Sequence, residues 1–209
     1  MSVNVTVAET EEEKRPSYRL RFETMCRDLG WLPAQDYVVP EERDEYDAAQ
    51  SIIFLAFDDD GSPVGTTRII MPGDIPLPIE KYFELYPKEL VESVHGKIVL
   101  GAEVSRFVVP HHQKYKKHEI TQVLCMALLG KLLTKGASHA YISADHRFFR
   151  LLIMMGFNFS PIGEPKVYMG SKTIPAITNL IALEARLRRE KPRLYALHMS
   201  GRDSALHGV

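Results

Sequence analysis

In the stretch Gly101-Ala-Glu-Val-Ser-Arg-Phe-Val-Val109, a glutamate, a serine and an arginine are set into a run of strand-forming residues. A buried strand holds such groups only when each has a partner, so they have either a structural or a chemical purpose. Strict alternation puts Glu103, Ser105 and Phe107 on one face and Arg106 on the other; pairing Glu103 with Arg106 therefore requires a bulge, which would also open the sheet. From this strand alone, a salt bridge on an edge strand and an acid–base pair both remain open.

A second concentration of charge is Glu41-Glu-Arg-Asp-Glu-Tyr-Asp47, which spaces Asp44 and Asp47 three apart. Taken alone it reads as a solvated run. Arg21, Arg68 in Gly65-Thr-Thr-Arg68, and Arg106 are cations able to pair with these carboxylates and fix a loop over a pocket.

The elements that must position these groups follow from periodicity. Tyr18, Phe22, Met25 and Leu29 recur at helical spacing before Gly30, with Pro16 in a first turn. Residues 31–50, with Pro33 and Pro40, read as a long functional loop. Ser51 to Phe57 and Pro63 to Met71 read as a hairpin across an Asp-Gly-Ser turn, followed by a proline-rich excursion to Pro87. Lys97 to Val109 is the next strand, ended by Pro110. Ile120, Val123, Leu124, Ala127 and Leu128 mark a helix closed by Gly136. There follow a strand at His139 to Ser143, a helix at Arg147 to Met155, a strand near Lys166 to Met169 and a helix from Ala176 to Arg189. This order predicts an α/β fold whose sheet is antiparallel early and parallel in the middle, with helices on both faces. Residues 1–14 read as a flexible arm and residues 15–209 as one domain.

Composition bounds the functions. With 45% hydrophobic and 25% charged residues the chain is of ordinary globular type, and a net charge of −1 argues against nucleic acid as a partner. No stretch is apolar enough to span a bilayer, and the N-terminus lacks the pattern of a secretory signal, so the cytoplasm is expected. Cys26 and Cys125 read as core thiols, and His111, His112 and His118 read as surface or capping residues; no metal site is expected.

Arg21, Leu29-Gly-Trp31, Asp44-Glu-Tyr-Asp47, Val64-Gly-Thr-Thr-Arg68 and Glu103-Val-Ser-Arg-Phe107 occur in this order over residues 18–170. Together they resemble the acyl-homoserine-lactone-synthase-like branch of the Gcn5-related (GNAT) acyltransferases. Within it, Asp44-Glu-Tyr-Asp47 and Pro76-Leu-Pro-Ile-Glu80 look more like the N-acyl amino acid synthases and exosortase-associated acyltransferases. The resemblance implies a mixed, mostly antiparallel sheet with splayed middle strands. It implies that Arg21, Asp44, Asp47, Arg68, Glu103 and Arg106 surround the acceptor and its amine, with Trp31 on the loop beside them. Glu103, Ser105 and Arg106 are the candidate catalytic residues, with Glu103 as the base and Arg106 orienting it and keeping it ionised. Phe107, Leu124, Phe148 and Leu152 are candidates for lining an acyl slot, together with Val104 and Met155.

Two departures from the resembled families narrow the substrates. Met25 stands where the lactone synthases usually place a phenylalanine, which argues against a pocket for S-adenosylmethionine. The turn His111-His-Gln-Lys-Tyr-Lys-Lys-His118 has no glycine to cradle the pyrophosphate of a coenzyme A thioester. Its lysines, Lys114, Lys116 and Lys117, suit the acidic face of acyl carrier protein. The expectation is a monomer that transfers a long acyl group from the phosphopantetheine of that carrier to an amino acid such as tyrosine, with no further cofactor. The competing readings are a lactone synthase using S-adenosylmethionine and, from another class, a silent acyl-binding regulatory module.

Overall fold

The computed structural model describes residues 3–110 and 117–196, and its eight strands form one sheet. The sheet starts within residues 1–14, where a strand stands in place of the expected flexible arm. Val3, Val5 and Val7 alternate with exposed Asn4 and Thr6, and β1 (Asn4–Ala8) pairs antiparallel with β2 (Ser51–Phe57). Helix α1 (Glu11–Arg21) begins earlier than Pro16 because Thr10 and Glu13 form a reciprocal capping box. Its continuation, Phe22–Asp28, winds as a π-helix and buries Phe22 and Met25, whereas Leu29 is half exposed beyond it. The long loop is irregular apart from one turn at Ala34–Asp36 and the short helix α2 (Glu45–Ala49).

The expected hairpin is present as β2 and β3 (Pro63–Ile70), its turn held by Asp58 accepting from Asp60 N and Ser62 N. The excursion after it carries α3 (Pro78–Tyr82) and α4 (Lys88–His95), and β4 (Gly101–Val108) follows. Next come α5 (Lys117–Thr134), β5 (His139–Asp145) and α6 (His146–Met155), the last capped by Asp145. The chain closes through β6 (Ser160–Pro161), β7 (Lys166–Tyr168), β8 (Ser171–Asn179) and α7 (Leu180–Glu190). Ala176 to Asn179, expected in the last helix, lie in β8, and α7 starts only where the Asn179 side chain caps it.

The strand order is β1-β2-β3-β4-β5-β8-β6, with β7 also on β8, and only β4 and β5 run parallel. Their pairing stops at Val104↔Ile142, although β4 continues to Val108 on β3 and β5 to Asp145 on β8. The sheet therefore splays at its centre. α1 packs on one face over Tyr18, Ile53 and Leu55, and α3 packs on the same face over Ile79 and Ile70. α5, α6 and α7 cover the other through Leu124, Leu129, Leu152 and Leu183.

Leu124, expected to line an acyl slot, instead lies under β3. A Cβ on Gly65 would sit 2.9 Å from Ile120 Cγ2 and 3.1 Å from Leu124 Cδ1. The helix is seated on a strand position that has no side chain. Gly65→Ala is therefore expected to destabilise the protein by about 1–3 kcal/mol through overpacking. Calorimetry should show a lower melting temperature; an unchanged one would mean that α5 is not seated this closely.

Candidate active site

Three arginines and three carboxylates are buried together between α1, the long loop, β3 and β4. Arg21, at the end of α1, grips Asp47 with both terminal nitrogens at 2.9 and 2.8 Å and gives its Nε to Glu42. Arg68, on β3, clasps Asp44 at 2.6 and 2.5 Å, reaches Asp47 at 2.7 Å and gives Nε to Ser105 Oγ. Arg106 binds Glu42 through Nε and Nη2 and Asp44 through Nη2. Arg21 and Arg68 are each 1% exposed, so these charges hold only because they cancel. Burial works to raise the carboxylate pKa values, yet Arg106 and Arg21 hold Glu42 at about 2. Arg21 and Arg68 likewise keep Asp47 below the usual carboxylate range despite its burial.

Glu42 was not singled out from sequence. It is one of two adjacent glutamates, and only the backbone bond from Glu42 N to Tyr18 O shows which of them turns fully inward. Asp44 and Asp47 also cap α2, so one short motif both ends the loop and supplies the anions.

Glu103 stands apart from this network. It is fully buried, accepting from Ile79 N at 2.7 Å and from Ser143 Oγ at 3.2 Å. Burial raises its pKa to about 7, against the pull of those two donors and of Arg68 and Arg106. The expectation that Arg106 orients Glu103 and keeps it ionised is corrected by this arrangement, because Arg106 is bonded to Glu42 and Asp44. The required bulge is present with another effect. Arg68↔Ser105 and Thr66↔Val108 are paired, so three steps of β4 oppose two of β3, and Arg106 takes a left-handed backbone with φ of 52°. The extra residue reverses the alternation after Ser105. Arg106 turns to the face of Glu103 and Ser105, while Phe107 turns to the face of α5. Ser105 fixes Arg68 by its hydroxyl and Thr67 by its carbonyl.

Phe107 stacks against Phe148 with ring centroids 4.7 Å apart. With Val104, Ile142 and Leu152 they line a narrow apolar cleft of about 40 Å³. The cleft lies at the splay of β4 and β5, opposite Glu103. Leu124 and Met155 are not part of its wall. On the Glu103 side the structure adds Tyr82, Phe83 and Tyr168, whose rings meet at 5.2 and 5.3 Å, and burial pushes the Tyr168 hydroxyl up to about 12. These aromatics come from two distant segments, and no local pattern marks them. Trp31 lies against the turn at Gly170. Lys114 and Lys116 lie outside the described residues, as does the side chain of Lys117. Among the described residues no group of His, Cys, Asp or Glu suits a metal ion, and no helix is long and apolar enough to cross a membrane.

Glu103, its pKa raised to about 7, lies on one face of the splayed sheet and the apolar cleft on the other, an arrangement that suits an acyl-transferring enzyme of GNAT-like fold. The family described as autoinducer synthase matches residues 6–188, and the chain belongs to that family. TofI, solved in a ternary complex with an inhibitor and MTA, matches with a TM-score of 0.70 and 19% identity over 94% of this chain and 100% of its own. BjaI, a CoA-dependent acyl-homoserine lactone synthase solved with SAM and isopentyl-CoA, matches at 0.66 and 20% over 93% and 96%. FeeM, an N-acyl amino acid synthase from uncultured soil microbes, matches at 0.64 and 18% over 90% and 96%. No curated protein matches the chain.

Arg21→Met should leave Glu42 and Asp47 short of positive charge and cost about 3–5 kcal/mol, the usual penalty for breaking a buried pair. Urea unfolding reads this as a lower midpoint at unchanged slope. A loss below about 1 kcal/mol, typical of an exposed pair, would mean that the cluster is solvated.

Proposed function

We propose that this protein joins a fatty acyl group, delivered as the thioester of acyl carrier protein, to the α-amine of an amino acid. The observation that carries the reading is the pKa of Glu103, raised to about 7 beside the opening between β4 and β5. A protonated amine must lose a proton before it can attack, and a base whose pKa lies near working pH can both take that proton and give it up. Glu103 takes the proton and the amine nitrogen attacks the thioester carbonyl. The tetrahedral intermediate gives its remaining surplus N–H proton to water and collapses as the C–S bond breaks, and the proton held by Glu103 passes to the departing thiolate. Backbone N–H groups beside the bulge and along the unpaired ends of β4 and β5 are the donors proposed for the oxyanion. The acyl chain occupies the cleft of Val104, Phe107, Phe148 and Leu152.

The preference for a carrier protein rests on the sequence of residues 111–118, which combines three lysines with no glycine. Tyr82, Phe83 and Tyr168 favour an acceptor with an aromatic side chain, since offset and edge-on ring contacts add to the area buried. A second reading is lactone synthesis from S-adenosylmethionine, which the likeness to lactone synthases such as BjaI favours.

The test offers purified protein dodecanoyl carrier protein and dodecanoyl-coenzyme A with each amino acid or S-adenosylmethionine, following thiol release and identifying products by mass spectrometry. An N-dodecanoyl amino acid made from the carrier thioester is the expected product. A lactone would replace this reading with the second, and no thiol release with any pair would sink both. For the expected reaction, kcat/KM should rise with pH to a plateau above about 7, because Glu103 acts as a base only when ionised. Glu103→Gln should lower kcat by roughly 10²- to 10⁴-fold. Full activity in that variant would remove Glu103 as the base.

A further inference from the structure

Among the described residues only two that are not glycine adopt a left-handed backbone, and they touch each other. Arg106 (φ 52°) sits at the bulge of β4, and Met169 (φ 46°) sits in the turn between β7 and β8. Met169 Sδ lies 3.3 Å from Arg106 Nη1. Met169 and Gly170 (φ 76°) form a two-residue hairpin turn closed by Tyr168↔Ser171. With positive φ at both central positions, such a turn favours asparagine, aspartate or glycine at the first of them. Nothing in the backbone calls for methionine there, so its side chain is the reason to look for.

The acceptors of the buried arginines locate that reason. All three nitrogens of Arg21 bind carboxylates; those of Arg68 bind two carboxylates and a hydroxyl; Nε and Nη2 of Arg106 bind carboxylates. Arg106 Nη1 alone in this set is met by a thioether, a weak acceptor for a charged donor. Arg106 also acts electrostatically on both Glu103 and Tyr168, on Glu103 after Arg68 in strength.

We propose that Arg106 Nη1 is the docking point for the carboxylate of the amino-acid acceptor, and that Met169 holds this position until the acceptor displaces it. The inference rests on the reading that the acceptor is an amino acid, whose amine then lies toward Glu103 while its carboxylate is fixed on Arg106. Displacement moves the hairpin tip. That tip is pressed against Trp31: a Cβ on Gly170 would lie 2.7 Å from Trp31 Cα. Trp31 is the single tryptophan in the chain, so its fluorescence reports the movement without any need for turnover.

The experiment titrates wild type, Met169→Gly and Met169→Leu with N-dodecanoylglycine and, separately, N-dodecanoylglycinamide, reading Trp31 emission. Glycine suits the turn, and leucine keeps the bulk while removing the acceptor atom; thermal melting checks that each variant is folded. Wild type should bind the acid about ten-fold more tightly than the amide, the worth of one charge-assisted bond. In Met169→Gly that ratio should widen several-fold with the amide constant unmoved. An acid-to-amide ratio identical in all three proteins would overturn the proposal. If neither acylated ligand binds wild type, the functional reading falls separately, and sodium acetate probes Nη1 by itself. Half-saturation at lower acetate in Met169→Gly than in wild type supports the docking point, and equal values refute it.

Discussion

Burying three guanidinium groups beside three carboxylates is costly unless every charge meets its opposite, and most of the architecture around the reacting centre satisfies that condition. Arg21 ends α1, Glu42, Asp44 and Asp47 lie on the loop and its short helix, Arg68 is on β3 and Arg106 on β4. A loop of this length would ordinarily be loosely held. Here it is fixed at three points by arginines that themselves have nowhere else to go, and by Tyr46 buried with Ile70, Leu77 and Ile79.

The same condition explains the bulge. A regular β4 would point Arg106 into the apolar layer under α5, where no anion is within reach. One extra residue brings Arg106 to Glu42 and Asp44 and sends Phe107 to the apolar side in its place. It leaves Glu103 and the apolar cleft on opposite faces of the sheet, next to the point where β4 and β5 part. Glu103 gains from being left out of the network. A bonded arginine would have held it as low as Glu42, whereas two neutral donors and burial leave it close to the pH at which a proton is most easily passed on.

Much of this was legible from residue types. Glu103 and Arg106 in an otherwise apolar strand pointed to buried polar partners, with a bulge as the condition for pairing them, and the order of the charged motifs matched the family. Turn chemistry at Asp58 to Ser62 and the helical period around Leu124 located the hairpin and α5. The pairings were not legible, because they depend on how remote segments meet. Arg106 was expected beside Glu103 since the two are neighbours in sequence, yet its partners come from the loop some sixty residues away. β1 was overlooked although valines alternate at 3, 5 and 7, because the acidic run after it drew the reading toward an arm. β8 was overlooked because Pro175 interrupts its pattern, and the structure tolerates that proline where Ser143 faces it.

Burial outweighs its two donors and the pull of Arg68 and Arg106 in setting the protonation of Glu103. Carbon-13 nuclear magnetic resonance on protein labelled at the glutamate carboxyl carbons, with the Glu103 signal assigned by its loss in Glu103→Gln, measures this directly across a pH titration. The account predicts a Glu103 midpoint near 7, with Glu42 still ionised down to about 2. A Glu103 midpoint at or below the ordinary glutamate value of about 4.3 would contradict it and return Glu103 to the role of a charged partner.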